Sequence, residues 1–347
     1  MGAYAALGRF GRTGMAVGVR HRVYGVRSLI ADHPSLYLPF ARLAHPAGPG
    51  KILADDTKIV IDGFTRSAST FALFAFQLAQ PEPVRAAHHT HAPAHLIAAA
   101  KRGVPALVPV RPPEPTILSQ VLREAHVSMR QALRAYVRFY RRLRPYRDAF
   151  VIATFDDVTG DFGAVVRRLN DRFETSFAPF DHTEANVRRC FELIEQRSRR
   201  RSKLLSDFQS GLVGRAELER ALAQGVADGS RAPLSEHLVA RPSAARRELK
   251  AARQGEWQRP ELAELRAEAR AAYEAFLPAR VGRQQGRLAK DARIRVFSSE
   301  LRPPRATADT APAAGNLLPM AASAPSAHLL ASAVPGPAPR PFPVPAP

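Results

Sequence analysis

Short apolar runs alternate with longer amphipathic stretches in the middle of the chain. The apolar runs are long enough for strands and too short for helices, and they lie at residues 58–62, 84–88, 106–110 and 150–155. Between and after them, apolar side chains recur at helical spacing at residues 70–80, 95–102, 116–144 and 162–173. This alternation predicts an α/β fold, a doubly wound parallel sheet flanked by helices, with ligands at the carboxyl ends of the strands.

The segments outside this pattern divide the chain further. Residues 1–57 predict an N-terminal extension and linker, and the main domain is expected to span residues 58–297. Helical patterns at residues 181–232 and 260–277 predict helical insertions within that domain. Residues 298–347 are rich in Pro and Ala and predict a disordered C-terminal tail, because they cannot bury enough apolar surface to offset their conformational entropy.

Composition narrows the class of protein. The 347 residues carry a formal net charge of +20, which favours an anionic ligand. Cys190 is the only cysteine, so nothing requires an oxidising compartment or a thiolate metal site. No apolar run reaches the roughly 18 to 20 residues of a membrane span. We therefore expect a cytoplasmic protein without a transmembrane span and without a metal ion.

The segment from Gly63 to Thr70, G-F-T-R-S-A-S-T, lies between the first predicted strand and the first predicted helix. The N–H groups of such a loop, together with the positive end of the helix dipole, form a site for a phosphate or sulfate group. Arg66 adds a full positive charge. A loop for Mg-ATP would carry a Gly-Lys pair, which is missing here, and Ala68 stands where its second glycine would be. An ordinary strand-to-helix turn with a Ser or Thr cap is the alternative.

This loop resembles the corresponding loop of P-loop sulfotransferases, which use 3′-phosphoadenosine 5′-phosphosulfate (PAPS) as the sulfuryl donor. The resemblance implies a P-loop-type sheet, with Arg66 against the 5′-phosphosulfate and Phe71 beside the adenine. Thr65 replaces the usual proline of the family, and Ala68 replaces its usual glycine. The donor-binding residues implied in this loop are Thr65, Arg66, Ser67, Ala68, Ser69, Thr70 and Phe71.

A second part of the sequence is similar to the same family. In the family, an Arg at the end of a strand and a Ser eight residues later hold the 3′-phosphate of PAPS, and Arg111 and Ser119 have this spacing. Phe155 corresponds to an aromatic residue near the nucleotide. Residues 241–246, R-P-S-A-A-R, resemble a C-terminal segment of bacterial members. The resemblance therefore adds Arg111, Ser119 and Phe155 to the expected donor contacts.

Four of the eleven histidines lie at residues 88–95. The family places its catalytic histidine in K-T-H-x-P, and H-T-H-A-P at residues 89–93 resembles this motif with His89 in place of the lysine. Neutral imidazole is a suitable base near neutral pH, so His91 is the expected catalytic base. Arg66, and His89 if it is protonated, would stabilise the charge that grows on the phosphate oxygens.

Two other assignments of this region stay open from the sequence. His91 and His95 are four residues apart and could ligate a metal ion on one helix face, although no cysteine lies nearby. Some sulfotransferases that act on glycans use a glutamate base, for which Glu82 is the nearest candidate.

The sequence therefore predicts a sulfotransferase that moves a sulfuryl group from PAPS to a hydroxyl or amine of a glycan, lipid or small molecule. A nucleotide-dependent kinase or phosphotransferase is the first alternative, because the predicted strand at residues 150–155 ends beside Asp156. A non-catalytic polyanion-binding protein is the second, because seven arginines lie between Arg130 and Arg147. No nucleic-acid partner is expected, since no aromatic platform accompanies these arginines.

Overall fold

Four parallel strands form the central sheet of the protein, and helices cover both of its faces. The computed structural model describes residues 31–44, 51–199, 203–224 and 243–278. The α/β fold with a parallel sheet that the alternating pattern predicts is confirmed. The strands are β1 (Ile59–Ile61), β2 (Ala86–His88), β3 (Ala106–Val110) and β4 (Val151–Thr154).

Helices make up most of the described part of the chain. Short 3₁₀ turns at Arg144–Ala149 and Pro260–Leu262 lead into β4 and into the last helix, respectively. In chain order, the α-helices of the described residues are α1 (Pro34–Ala44), α2 (Ser69–Ala79), α3 (Pro93–Lys101), α4 (Pro113–Arg123), α5 (Met129–Leu143), α6 (Phe155–Gly160), α7 (Phe162–Phe173), α8 (Glu184–Arg199), α9 (Lys203–Gln209), α10 (Arg215–Ala223), α11 (Ala244–Ala252), α12 (Gln254–Trp257) and α13 (Ala263–Phe276).

Each strand divides its side chains between two hydrophobic layers. In β1, Ile59 and Ile61 lie in one layer and Val60 lies in the other, and all three are fully buried. The first layer includes α2, α7 and α8, and the second includes α3, α4, α5 and α13. Because both faces of the sheet are covered, the strands appear in the sequence as unbroken apolar runs rather than as alternating ones.

The order of the strands determines where a ligand would bind. The order is β2-β1-β3-β4, with every neighbouring pair parallel. The chain leaves β1 toward β2 on one side and then crosses to β3 on the other side of β1. Open α/β sheets bind ligands in the crevice outside the carboxyl ends of the strands at such a switch point. The loops after β1, β2 and β3 therefore meet at the crevice.

The long helix predicted at residues 116–144 is wrong, because the structure divides it into α4 and α5. α4 ends at Arg123 and α5 begins at Met129. Ser128 caps α5: its side chain accepts a hydrogen bond from the Gln131 N–H, and the Gln131 side chain accepts one from the Ser128 N–H. This capping box starts a new helix, which the periodicity of apolar residues alone does not reveal.

The segment predicted as an extension and linker, residues 1–57, contributes to the main core. Tyr37 and Leu38 of α1 are buried in the layer that contains α3 and α5. Ile52 and Leu53 are buried in the same layer, with exposed fractions of 1% and 0%. The described part of this segment is therefore built into the domain that follows it.

Two other sequence predictions fall partly or wholly outside the described residues. The helical region predicted at residues 181–232 contains α8, α9 and α10, and residues 200–202 and 225–232 lie outside the described part. The predicted disordered tail at residues 298–347 lies wholly outside it. Among the helices that the structure describes, none combines the length and the apolar character needed to cross a membrane.

Candidate functional site

The loop from Gly63 to Thr70 connects β1 to α2 at the switch point. A Cβ atom on Gly63 would lie 2.6 Å from the carbonyl oxygen of Pro109, so only glycine lets the loop pass this close to β3. Arg66 and Ala68 have left-handed backbone conformations, with φ angles of 68° and 78°. Such residues turn neighbouring N–H groups into a concave site for an anion. The N-cap residue Ala68 gives the first N–H groups of α2 no side-chain partner.

Two of the predicted donor-binding hydroxyls hold the loop in shape. The hydroxyl of Ser67 donates a hydrogen bond to the carbonyl oxygen of Phe64 at 2.7 Å. The Ser67 and Ser69 Oγ atoms are 3.3 Å apart, and Ser69 is the donor because the single hydroxyl proton of Ser67 is already used. Both serines are buried. Their direct contact with a sulfuryl donor stays a prediction.

Phe71 lies in the hydrophobic core rather than at the surface of the loop. Its exposed fraction is 4%, and its ring packs 5.5 Å from the ring of Phe191 and 6.4 Å from that of Phe180, measured between centroids. Phe71 lies on the face of α2 that packs against α8, and its contact with adenine stays a prediction.

Three arginines from distant parts of the chain form a cluster, and two of them bind Ser119. The Oγ atom of Ser119 accepts hydrogen bonds from Arg66 Nε at 2.9 Å and from an Arg246 Nη atom at 3.2 Å. Arg111 donates to the backbone carbonyl of Arg66 at 3.4 Å, and its guanidinium carbon lies 4.0 Å from the ring centroid of Phe155. The structure thus brings together Arg66, Arg111, Ser119 and Phe155, which the resemblance implied as one donor site.

The cations of this cluster destabilise one another. Burial, followed by the charges of Arg123 and Arg246, lowers the pKa of Arg66 to about 9. Burial and the charges of Arg111 and Arg246 lower the pKa of Lys250 to about 8. Within the described residues, neither Arg66 nor Arg111 forms an ion pair with a carboxylate. A bound anion would relieve this repulsion, so the cluster has the electrostatics of an anion site.

Asp62, at the end of β1, organises the loop that carries the histidines. One carboxylate oxygen accepts the Gly63 N–H at 2.9 Å and the His91 N–H at 3.2 Å. The other accepts the N–H of Thr90 at 2.9 Å, its hydroxyl at 2.6 Å and His95 Nδ1 at 3.0 Å. Burial opposes ionisation of this fully buried group, but the hydrogen bonds from His91 and His95 outweigh it and hold the pKa of Asp62 well below its usual value.

The hydrogen bonds assign different roles to two histidines. His95 Nε2 accepts the Leu53 N–H at 3.1 Å, so its proton is on Nδ1, which donates to Asp62. Both ring nitrogens of His95 are therefore used inside the protein. The Nδ1–H of His91 donates to the carbonyl oxygen of Gly63 at 2.8 Å, and its side chain is 28% exposed. His91 thus has Nε2 available to accept a proton from a ligand.

His88 and His89 form a chain of hydrogen bonds with a fixed direction. Ser210 donates its hydroxyl proton to the carbonyl of Ser206, so it accepts from His88 Nε2 at 3.2 Å. Since burial keeps the pKa of His88 well below its usual value, its Nδ1 is bare and accepts from His89 Nδ1 at 2.8 Å. The bare Nε2 of His89 then accepts the hydroxyl proton of Thr70 at 2.9 Å.

This arrangement changes the expectation for His89. Burial and the charge of Arg197 lower the pKa of His89 well below its usual value, so its ring is neutral. The stabilising positive charge expected of a protonated His89 is therefore absent. The alternative base Glu82 is exposed in the loop before β2, at the amino end of that strand. His89 and His91 follow β2 at its carboxyl end.

The metal alternative for His91 and His95 has little support in this geometry. Both ring nitrogens of His95 already have protein partners, as do those of His88 and His89. In the described part of the chain, no group of three or more His, Cys, Asp or Glu residues is arranged to hold a metal ion.

A cavity opens beside His91 on the side of the second hydrophobic layer. Phe64 and Thr65 of the loop line it together with His91, Glu124 and Arg138. The predicted donor-binding residue Thr65 is thus at the border between the loop and the cavity. A molecule in this cavity would lie next to the imidazole that has a free nitrogen.

Several site residues were missed in the sequence or given no role. Asp62 had a detectable signal, an acid directly after a buried strand. Arg246 lies in the R-P-S-A-A-R segment, whose first two residues are outside the described part, and it is 4% exposed. Lys250 follows Arg246 by four residues on α11, so both side chains share one helix face. Glu124 had no signal, because its role depends on how α4 packs.

The left-handed conformation of Ala68 leads to a stability prediction. We expect Ala68→Gly to raise the free energy of unfolding by about 0.5–1 kcal/mol, because the left-handed region costs an alanine about 1–2 kcal/mol and the flexibility of glycine offsets only part of that gain. Urea unfolding followed by circular dichroism measures the change. The control is Ala271→Gly on the exposed face of α13, which should lower stability by about 1 kcal/mol. Equal losses in both variants would contradict the prediction.

The fold and the site together define an α/β protein with a cluster of arginines at the switch point of its sheet and a histidine with a free nitrogen in the next loop. Comparisons with protein-family models, curated proteins and solved structures found no match. The function is therefore argued from the site alone.

Proposed function

We propose that the protein is a sulfotransferase that uses PAPS as donor and a hydroxyl or amine group as acceptor. The observation that carries the proposal is the cluster beside the loop before α2, in which Arg66 and Arg246 bind Ser119 and Arg111 binds the Arg66 carbonyl. PAPS carries anionic groups at both its 5′ and 3′ positions. The loop and its arginine cluster provide two adjoining places for such groups.

The donor is held without a metal ion in this proposal. The loop N–H groups and Arg66 bind the 5′-phosphosulfate, and Ser119, Arg111 and Arg246 bind the 3′-phosphate. Phe155, whose ring packs against Arg111, borders the nucleotide. Thr70 contacts the donor through its oxygen, or through its hydroxyl proton once that proton turns away from His89.

The chemical step uses the free nitrogen of His91. The acceptor oxygen or nitrogen attacks the sulfur in line with the bond to the 5′-phosphate, and His91 Nε2 takes the proton of the acceptor. A new bond to sulfur forms as the bond between sulfur and the bridging phosphate oxygen breaks. The electron pair of that bond leaves with adenosine 3′,5′-bisphosphate. Arg66 stabilises the charge that grows on the leaving phosphate.

Asp62 and Gly63 orient the base. The Gly63 carbonyl accepts the Nδ1–H of His91, and the Asp62 carboxylate lies 3.4 Å from the same nitrogen. These contacts fix the tautomer that leaves Nε2 bare, and the nearby carboxylate stabilises the imidazolium formed when the proton arrives.

The two alternative functions have less support. For a kinase, the acids after β4 would have to hold Mg²⁺, but Asp157 caps α6 by accepting the Thr154 N–H at 2.9 Å, and Asp156 is exposed. For a polyanion binder, the arginines of α5 would have to face a ligand. Several of them instead contact the protein itself: Arg138 and Arg142 bind Asp32, Arg141 binds Glu268, and Arg130 binds the Glu261 carbonyl.

Ligand-dependent thermal stability tests the proposal. We expect adenosine 3′,5′-bisphosphate to raise the melting temperature in the absence of metal, because a ligand at 100 times its Kd stabilises the folded state by about 2.7 kcal/mol. ATP with Mg²⁺ should have a smaller effect, since it has no 3′-phosphate for Ser119 and Arg111. A shift with Mg-ATP and none with the bisphosphate would refute the proposal.

A pair of variants locates the binding to the cluster. Arg66→Gln should weaken bisphosphate binding about 10- to 100-fold, the effect of losing one or two charge-assisted hydrogen bonds. Arg134→Gln changes the same charge on the exposed face of α5 and should leave the affinity unchanged. Isothermal titration calorimetry measures both, and equal losses would assign the binding to general charge instead of the site.

A further inference from the structure

The cavity beside His91 has the position of an acceptor site. Its lining includes Thr65 from the loop, His91 and Glu124. Since Gly63 occupies Nδ1 of His91, the ring offers Nε2 to a molecule in this cavity. A hydroxyl group that enters here would lie near both the proposed base and the proposed donor loop.

Glu124 provides a carboxylate at the border of this cavity. It follows α4, and its Oε2 atom accepts one hydrogen bond, from Gln120 Nε2 at 3.3 Å. Within the described residues it forms no ion pair. Its negative charge raises the pKa values of Arg66 and Arg123 and so opposes part of the decrease that burial causes. The carboxylate therefore lies close to the cationic cluster. Glu124 therefore has capacity to accept a hydrogen bond from a ligand.

The charges of the cavity differ from those of the donor site. Asp32 also lines the cavity, but Arg138 and Arg142 bind its Oδ2 atom at 2.5 Å and 2.9 Å and neutralise its charge, whereas its Oδ1 atom is buried and has no hydrogen-bond partner within the described residues. Glu124 is thus the carboxylate of the lining whose charge no arginine of the described residues pairs with. The negative charge of Glu124 repels an acceptor molecule with a carboxylate or sulfate group, and its oxygen atoms favour an acceptor molecule that donates a hydrogen bond.

We propose that the acceptor is an uncharged polyhydroxyl compound, such as a neutral glycoside, whose second hydroxyl donates a hydrogen bond to Glu124 while the reacting hydroxyl faces His91. The inference rests on the proposed sulfotransferase function and narrows its acceptor class. Glu124 acts as a specificity residue in this assignment. Two contacts on neighbouring hydroxyls fix the orientation of the acceptor, which a compound with a single hydroxyl cannot reproduce.

A matched series of acceptors tests the assignment. Wild-type protein is incubated with sulfur-labelled PAPS and with methyl glucoside, methyl glucuronide or cyclohexanol. Methyl glucoside should have the largest kcat/KM. In the glucuronide a carboxylate replaces the hydroxymethyl group, and cyclohexanol is a six-membered ring with a single hydroxyl, so both should be at least about 10-fold poorer. Equal or better use of either compound would overturn the inference.

Two variants connect this selectivity to Glu124. Glu124→Gln should lower kcat/KM for methyl glucoside about 10- to 100-fold and reduce the discrimination against the glucuronide. The reason is that the substrate hydroxyl no longer donates its hydrogen bond to a charged carboxylate. Glu82→Gln is the control. Glu82 is exposed at the amino ends of the strands, away from the cavity, so this variant should leave all rates unchanged. Unaltered selectivity in Glu124→Gln would overturn the role of this residue.

Binding of adenosine 3′,5′-bisphosphate distinguishes a failure of the proposed sulfotransferase function from a failure of the acceptor inference. If wild-type protein does not bind adenosine 3′,5′-bisphosphate, the proposed sulfotransferase function fails. If it binds the bisphosphate but transfers no label to methyl glucoside, the sulfotransferase proposal stands and the acceptor inference is overturned. Calorimetry of methyl glucoside with the bisphosphate-bound protein gives a readout independent of turnover, and Glu124→Gln should weaken that binding.

Discussion

His91→Asn is expected to lower kcat for sulfuryl transfer about 10²- to 10⁴-fold, the usual contribution of a general base. Asparagine suits this position because His91 has a φ angle of 51°, which asparagine adopts more readily than most residues. Its side-chain N–H group can also replace the Nδ1–H that donates to the carbonyl of Gly63. The variant therefore removes the base with little change to the loop.

The matched measurements separate catalysis from folding and binding. His91→Asn should bind adenosine 3′,5′-bisphosphate as the wild type does and should melt at nearly the same temperature. The control His33→Asn changes an exposed histidine before α1 and should leave kcat unchanged. Full activity of His91→Asn would show that another group takes the proton, and Glu124 would then be the next candidate to test.

Asp62→Asn is expected to have the largest effect on stability, a loss of about 3–5 kcal/mol. The fully buried carboxylate accepts hydrogen bonds from Gly63, Thr90, His91 and His95. An asparagine must place its N–H₂ group toward the donors on one side or the other, and either choice leaves buried donors without an acceptor. This loss is a large fraction of the roughly 5–15 kcal/mol that stabilises a typical domain. Urea unfolding followed by circular dichroism measures it.

A surface carboxylate and the pH dependence provide the controls for this prediction. Asp55→Asn changes a fully exposed acid and should alter the free energy of unfolding by less than about 0.5 kcal/mol. Because the pKa of Asp62 is lowered in the folded state, its stabilisation is complete above the unfolded pKa near 4 and is lost as pH falls below it. In Asp62→Asn this acid-dependent loss should be smaller. An identical acid profile in the variant and the wild type would contradict the central role of Asp62.

Local sequence patterns predicted most of the fold but not the boundaries set by side-chain capping. The strands were identified from their uniform apolar character, and β3 was predicted at its observed residues, 106–110. The break between α4 and α5 was missed because apolar periodicity continues across it, whereas α4 ends at Arg123 and the capping box at Ser128 starts a new helix. Burial of the segment around Leu53 was also missed, because it depends on contacts with α3.

The spacing of motifs found the neighbourhood of the site more reliably than it assigned roles. Arg66, Arg111 and Ser119 do lie together in the structure, as their spacing implied. Phe71, by contrast, packs in the core, and its implied adenine contact stays a prediction. Roles depend on the direction in which a side chain points, and a pattern of letters contains no such information for an individual residue.

The sequence by itself determined the alternating strands and helices, the loop at residues 63–70 and the histidine-rich segment, because these depend on residues close together in the chain. Only the tertiary structure decided which histidine has a free nitrogen. His95 is saturated by Leu53 and Asp62, and His91 is not saturated. Hydrogen bonds between segments that are distant in the chain fix each tautomer, and such contacts exist only after the sheet has brought the ends of β1 and β2 together.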